Sequence, residues 1–235
     1  MICIVNFKSL MCYKKQLQWL QDIEQLPLNF KLLVAPTLPE HNTYQNYEII
    51  AQNISLAQRT VGEMSANVLK ALDIKYAFVG HLERRKLLNE TTDIIHERLA
   101  NCLNNDMIPI ICLGMHSGQD LVIRELKSIL KNIDFMGQRI IVAYESLRST
   151  QSNSSAYSYV EMEAVYLKLN QYLSELAKNS NLASYSLVMG GHITAEGIFV
   201  ARKIGYDGVL IGDRYQEVSA FQPIIEALNK VKKER

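Results

Sequence analysis

The chain has 235 residues, with 25 Lys and Arg against 24 Asp and Glu, so its formal net charge is +1 when the histidines are neutral. This balance argues against a nucleic-acid partner or a membrane surface, because a protein that binds either one needs a basic excess to meet phosphates. A hydrophobic fraction of 48% with 21% charged residues is typical of globular proteins and excludes the disordered and fibrous classes.

Eight short apolar runs, rich in β-branched or aromatic residues, recur along the chain and are too short for helices. Continuous runs of this kind are typical of strands that are buried on both faces. We therefore predict strands, in chain order, at residues 2–6, 31–35, 48–53, 76–80, 108–114, 139–145, 186–190 and 208–212.

Between these runs, apolar residues recur at helical spacing. Three stripes are clear, and they comprise Leu17, Leu20 and Ile23, then Leu121, Ile123, Leu126, Ile129 and Leu130, and finally Tyr166, Leu169, Leu173 and Leu176. We predict a helix at each stripe, with its apolar face against the strands.

Eight strand signals that alternate with helices favour an α/β protein built as a closed (β/α)8 barrel, for which about 250 residues is typical. An open doubly wound sheet is the alternative, but it usually has five or six strands and a Gly-rich first turn. No GxGxxG motif follows the first strand here. No Pro/Gly/Ser-rich linker interrupts the pattern, so we predict a single domain spanning residues 1–235.

The cysteines and the amino terminus predict where the protein is found. Cys3, Cys12, Cys102 and Cys112 show neither CxxC spacing nor flanking histidines, which indicates reduced thiols and a cytoplasmic location. The opening MICIVNFK lacks a basic segment followed by a long apolar one, and no uncharged apolar run approaches the roughly 18 residues of a membrane helix. We expect neither export nor a membrane span.

The ends of three predicted strands carry side chains suited to catalysis. Lys8 follows the first strand, His81 follows the fourth, and Glu145 ends the sixth. In a parallel barrel the active site lies at the carboxyl ends of the strands, so an ammonium, an imidazole and a carboxylate converge on one rim. We predict that Lys8, His81 and Glu145 form the catalytic group.

Several motifs resemble the triosephosphate isomerase family. VNFK at residues 5–8 is similar to the Asn-Trp-Lys of the family, and GHLERRKLLNET at residues 80–91 is similar to its GHSERR signature with a downstream Glu-Thr. Further matches follow in the family's order at residues 51–53, 62–63, 143–145, 190–191 and 207–212. The resemblance covers essentially the whole chain, and its most specific part is the segment 80–91.

This resemblance implies the TIM barrel fold and an isomerase of glycolysis and gluconeogenesis that interconverts dihydroxyacetone phosphate and glyceraldehyde 3-phosphate without a cofactor or metal. It also implies that Glu145 is the base, that His81 polarises the carbonyl, and that Lys8 supplies positive charge to the substrate. Asn6 would hold substrate oxygen atoms, and Glu83 would contact Lys8. In a further implied pair, Arg84 binds Glu90.

The resemblance places the substrate's phosphate among backbone N–H groups of the loops that follow strands six, seven and eight. Ser152, His192, Gly212 and Asp213 occupy the corresponding positions. His192 replaces a Ser of the family, and Asp213 replaces a Gly. A protonated His192 would offset the Asp213 carboxylate, or Arg214 would pair with it.

The loop after Glu145 departs furthest from the family. Residues 146–155 lack its Pro, Trp and Gly, and the polar segment 149–158 is either a solvated loop or a functional lid. Met189 replaces a Tyr of the family. The resemblance implies a homodimer, although Val61 stands where the family has a Thr that reaches the partner's site.

Two alternatives to an efficient triosephosphate isomerase therefore remain. One is a catalytically weakened homologue that binds another sugar phosphate, another anion or a protein partner. The other is an isomerase of a longer sugar phosphate, which a wider lid would admit.

Overall fold

The computed structural model describes residues 1–115, 118–145, 159–212 and 214–231. Within these ranges, eight strands and eight helices follow one another along the chain. In chain order they are β1 (Ile2–Asn6), α1 (Tyr13–Glu24), β2 (Lys31–Ala35), β3 (Tyr47–Ile49), α2 (Ala66–Ala71), β4 (Tyr76–Val79), α3 (Leu82–Leu87), α4 (Thr92–Asn104), β5 (Ile108–Leu113), α5 (Gln119–Ile129), β6 (Arg139–Glu145), α6 (Tyr159–Asn179), β7 (Ser184–Gly191), α7 (Ala195–Ile204), β8 (Gly208–Ile211) and α8 (Val218–Lys230).

The strands form one parallel sheet that closes on itself. Their order is β3-β2-β1-β8-β7-β6-β5-β4, and a parallel bridge between Ala51 and Ala77 joins its two ends. Across this bridge the Ala51 N–H donates to the Tyr76 carbonyl and the Phe78 N–H donates to the Ala51 carbonyl, both at 2.9 Å. The predicted (β/α)8 barrel is thus confirmed, and the open doubly wound sheet is excluded. The domain extent of 1–235 stays a prediction.

Alternate strand residues point to opposite faces of the sheet, which gives the barrel two buried layers. The inner layer fills the barrel with side chains such as Ile4, Leu33, Phe78 and Ile141. The larger outer layer packs the strands against the helices. None of the described helices combines the length and apolar character that a bilayer crossing requires.

Two predictions about local structure are wrong. The third strand is shorter than the predicted 48–53, because the chain pairs with β2 only over Tyr47–Ile49 and then turns toward β4 at Ala51. On α5, Leu121 is exposed and Ile123 is half-buried. The buried face of α5 instead contains Val122, Leu126 and Ile129, whose spacings of four and three match the helical period.

Four charged side chains, two of them buried and two half-buried, form a network that we call the buried charge network. It comprises Glu63, Arg84, Glu90 and Arg98, whose ion-pair distances are 2.7 to 2.9 Å. The expected pair of Arg84 with Glu90 is among them. Two cations and two anions cancel, so the network avoids the cost of an unpaired buried charge. It joins the loop after β3 to α3 and α4.

The two arginines set the ionisation of Glu63. Burial works against the charged form, but the hydrogen bonds and charge of Arg98, with the charge of Arg84, prevail and lower the pKa of Glu63. A group with a lowered native pKa stabilises the fold above its unfolded pKa, and this contribution is lost as the pH falls through the native pKa. The buried charge network should therefore weaken in acid.

We predict that Glu63→Gln lowers the free energy of unfolding at pH 7 by about 3 kcal/mol, because it leaves two arginines without a full set of partners. Urea denaturation at several pH values measures this difference. It should shrink as the pH falls from the ordinary pKa of 4.5 through the lowered native pKa, because the unfolded wild-type chain takes up a proton at Glu63 before the native protein does. The exposed Glu97→Gln on α4 is the control and should change stability by under about 0.5 kcal/mol. A Glu63→Gln deficit that stays constant from pH 7 to pH 3 would contradict this account.

Candidate active site

A cavity of about 400 Å³ opens at the carboxyl ends of the strands. Its walls include Lys8, His81, Glu145, His192 and Gly212. The structure therefore brings together the three side chains that the strand ends predicted as a catalytic group. Among the described residues, no three His, Cys, Asp or Glu side chains are grouped so as to hold a metal ion.

The backbone of Lys8 is held in an uncommon conformation just after β1. Its φ angle is +52°, in the left-handed region that non-glycine residues rarely adopt. Asn6 Oδ1 accepts a hydrogen bond from the Lys8 N–H at 2.9 Å, while Thr37 Oγ1 and Gln52 Nε2 donate to the Lys8 carbonyl at 2.8 and 2.7 Å. These three contacts offset a backbone strain of about 1 kcal/mol and aim the side chain into the cavity.

The ammonium of Lys8 is paired with Glu83 of α3, as the resemblance implies. Lys8 Nζ lies 2.5 Å from Glu83 Oε1, and the two side chains are 24% and 46% exposed. At such exposure an ion pair adds little stability, so its main effect is to orient the ammonium. Gly212 faces the same group, because a Cβ atom added there would lie 3.8 Å from Lys8 Nζ.

His81 caps the amino terminus of α3 with its side chain. The Glu83 N–H donates to His81 Nδ1 at 3.3 Å, so Nδ1 is an acceptor and carries no proton. The imidazole is then neutral, with its proton on Nε2. His81 Nε2 lies 3.7 Å from Glu145 Oε1, which places a hydrogen-bond donor beside a carboxylate in the cavity.

Glu145 ends β6 and is positioned by two glycines. A Cβ atom at Gly190 would lie 2.5 Å from Glu145 Cγ, and one at Gly114 would lie 2.0 Å from the Glu145 carbonyl oxygen, so any side chain at these positions would displace Glu145. Within the described ranges, the buried atom Glu145 Oε1 has no hydrogen-bond partner. Such an oxygen is costly to bury and is available to accept a proton.

A second buried ion pair supports this arrangement from the helix side. Arg85 of α3 pairs with Glu125 of α5, and Glu125 Oε2 also accepts a hydrogen bond from the Gly114 N–H at 3.3 Å. The pair fixes the end of β5 against the Glu145 backbone. Sequence reasoning missed Glu125, although a carboxylate beside Val122 on an apolar helix face is a signal that could have revealed it.

His192 lines the cavity where the loop after β7 meets the loop after β8. Arg214 Nη2 lies 3.1 Å from His192 Nδ1. Because a guanidinium always donates, Nδ1 is the acceptor in this contact. The two ways of offsetting Asp213, a protonated His192 or a pair with Arg214, stay predictions. Ser152 and Asp213, with the loop 146–155 and the polar segment 149–158, lie outside the described residues.

Comparisons with known proteins match most of the chain. The family model described as triosephosphate isomerase matches residues 1–228. The triosephosphate isomerase of Orientia tsutsugamushi (strain Boryong) is 32% identical over 199 residues, which cover 77% of this chain and 76% of that protein. The triosephosphate isomerase of Blochmanniella floridana is 27% identical and covers 90% of this chain and 88% of its own length. That of Mycoplasma pneumoniae is 26% identical, with coverages of 93% and 94%.

The cap at α3 predicts the tautomer of His81. In ¹⁵N NMR spectra at pH 7, we expect Nδ1 of His81 to resonate as an unprotonated nitrogen and Nε2 as a protonated one, because the Glu83 N–H occupies Nδ1. His81→Gln assigns the signals by removing them. A doubly protonated ring, or a proton on Nδ1 instead of Nε2, would contradict the structure.

Proposed function

The chain belongs to the triosephosphate isomerase family, and from this premise we propose that it interconverts dihydroxyacetone phosphate and glyceraldehyde 3-phosphate without a cofactor. The observation that best supports this reaction is the 3.7 Å separation of His81 Nε2 and Glu145 Oε1. A donor and a base this close can act on one carbonyl and on the carbon beside it. We propose Lys8, His81 and Glu145 as the catalytic residues.

Glu145 is proposed to move the proton. In dihydroxyacetone phosphate the carboxylate takes a proton from the hydroxymethyl carbon, and the C–H electron pair becomes the double bond of an enediolate. The hydroxyl proton moves from the oxygen of the first carbon to the oxygen of its neighbour, and the same carboxyl returns a proton to that neighbouring carbon, which yields the aldehyde. General base catalysis of this kind contributes about 10²- to 10⁴-fold.

His81 and Lys8 are proposed to stabilise the charge that this transfer creates. The carbonyl oxygen becomes negative as the proton leaves, and the Nε2–H of His81 is a donor already in place to bind it. A Glu base beside a neutral imidazole is the established arrangement of this family. The Lys8 ammonium, held by Glu83, adds positive charge for the enediolate and the phosphate.

Membership of the family also supports proposals for the domain extent, the pathways and the cellular compartment. We propose one domain over residues 1–235 that acts in glycolysis and gluconeogenesis in the cytoplasm. The cysteines support a reducing compartment, because Cys3, Cys12, Cys102 and Cys112 are all free thiols and three of them are buried.

We predict that Glu145→Gln lowers kcat for glyceraldehyde 3-phosphate by about 10³-fold in a coupled assay, because it removes the base but keeps the size of the side chain. Circular dichroism should show an unchanged fold, and Glu97→Gln on α4 should retain wild-type turnover. A wild-type rate no better than buffer, unaffected by Glu145→Gln, would overturn the proposal and favour the weakened homologue. A higher rate with a four-carbon ketose phosphate would favour an isomerase of a longer sugar phosphate.

A homodimer is proposed from exposed apolar side chains in the loop after β3 and at the end of α3. Val61, in the loop after β3, is fully exposed, and Leu87 and Leu88 at the carboxyl end of α3 are 75% and 60% exposed. Leu87 and Leu88 border a recess of about 200 Å³ on the other side of Lys8, which Asn6 also lines. Two exposed leucines beside a recess that is otherwise lined by polar groups are proposed as the contact surface, and a partner's Val61 is proposed to pack against them.

Val61→Asp should convert the dimer to a monomer at micromolar concentration, because a carboxylate would be buried without a partner. Size-exclusion chromatography with light scattering measures the mass. Leu167→Asp on α6, where the replaced leucine is 59% exposed, is the matched control and should remain dimeric. A monomeric wild-type protein, or a Val61→Asp protein with the mass of a dimer, would contradict the proposed interface.

A further inference from the structure

Side-chain bonds join the loop after β8 to the loop after β7. Arg214 contacts His192 Nδ1 at 3.1 Å, and the next residue, Tyr215, donates its hydroxyl to the Ile193 carbonyl at 3.0 Å. Trp19 Nε1 in turn donates to the Tyr215 carbonyl at 3.1 Å. Consecutive residues of one loop therefore bond to consecutive residues of the other, and the buried Trp19 anchors the pair to the outer core.

The chemistry of Arg214 is only partly used by these contacts. A guanidinium offers five N–H donors in a planar fork, and the contact with His192 engages one nitrogen. No carboxylate of the described residues forms an ion pair with Arg214, which is exposed and lines the same cavity as Lys8. Gly191 and Gly212 also line this cavity, and neither fills it with a side chain.

We propose that Arg214 is an anion-binding side chain that recognises the phosphate monoester of the substrate, and that His192 is a positioning residue that orients it. The inference rests on the proposed function and deepens it. In the family the phosphate is bound mostly by backbone N–H groups, so a side-chain guanidinium would be this chain's own addition. Two cations, Lys8 and Arg214, then meet the dianion, and the guanidinium fork matches two of its oxygens.

The contact with His192 gives Arg214 a fixed geometry. An exposed arginine has many rotamers, and ordering it on binding opposes affinity. An imidazole nitrogen that accepts one N–H restricts the guanidinium before the ligand arrives and brings no negative charge to compete with the phosphate. A carboxylate in the place of His192 would bind the guanidinium more strongly and weaken its attraction for phosphate.

Inorganic phosphate is the probe, because its binding does not depend on turnover. Isothermal titration should give a Kd that rises about 10- to 100-fold in Arg214→Gln, as expected for a lost charge-assisted pair. The Kd of Arg214→Lys should lie between those of the wild type and Arg214→Gln, because lysine keeps the positive charge but lacks the planar fork of donors. Arg124→Gln on the exposed face of α5 makes the same change in net charge and should keep the wild-type Kd.

The role of His192 is tested by comparing how its substitutions change KM and how they change kcat. His192→Phe keeps a ring but removes the acceptor, and it should raise KM for glyceraldehyde 3-phosphate about 3- to 10-fold while kcat stays within twofold. His192→Gln restores an acceptor oxygen and should recover most of the wild-type KM. A purely structural role for His192 would lower kcat or stability in both variants alike.

The outcomes separate this inference from the proposed function. Phosphate binding that depends on Arg214 in a protein without isomerase activity would support the anion site and overturn the proposed function. Isomerase activity with an Arg214→Gln Kd equal to that of wild type would leave the proposed function intact and overturn this inference. A wild-type protein that binds no phosphate at millimolar concentration would also overturn it.

Discussion

The closed parallel ladder is the constraint on which the site depends. Lys8, His81 and Glu145 follow or end β1, β4 and β6, and no two of these strands are neighbours in the sheet. Their side chains meet only because the bridge between Ala51 and Ala77 closes the sheet and turns all carboxyl ends toward one cavity. An open sheet with the same strands would spread these groups along an edge, beyond the reach of a three-carbon substrate.

Helix α3 holds several charged side chains around the site in fixed positions. It has only six residues, too few to be stable alone, so tertiary contacts must hold it. Successive side chains leave a helix about 100° apart, and three of them use that divergence. Glu83 orients Lys8, Arg84 enters the buried charge network, and Arg85 binds Glu125. One short helix thus joins the cation of the site to the buried charge network and to the Arg85–Glu125 pair beside the Glu145 backbone.

The sequence predicted the fold and the rim well because both rest on local signals. Strands buried on both faces are continuous apolar runs in the sequence. In a parallel barrel the residue that ends each run lies at the carboxyl rim, so its position there follows from the strand alone. The missed residues act across elements: Gln52 bonds to a carbonyl of another strand end, and Glu125 to a neighbouring loop. Their roles depend on distances that no spacing along the chain encodes. The error at Leu121 has the same origin. Apolar residues in α5 lie at helical spacing on more than one face, and only contacts with other elements decide which face is buried.

Turnover of dihydroxyacetone phosphate in D₂O, followed by ¹H NMR, tests directly whether Glu145 carries a proton between two carbons of a triose phosphate bound in this cavity. We expect deuterium to enter carbon-bound positions of the triose phosphates during turnover by the wild-type protein, and Glu145→Gln to abolish this incorporation. Carbon positions that stay free of deuterium while product forms, or equal incorporation with both proteins, would contradict this role of Glu145.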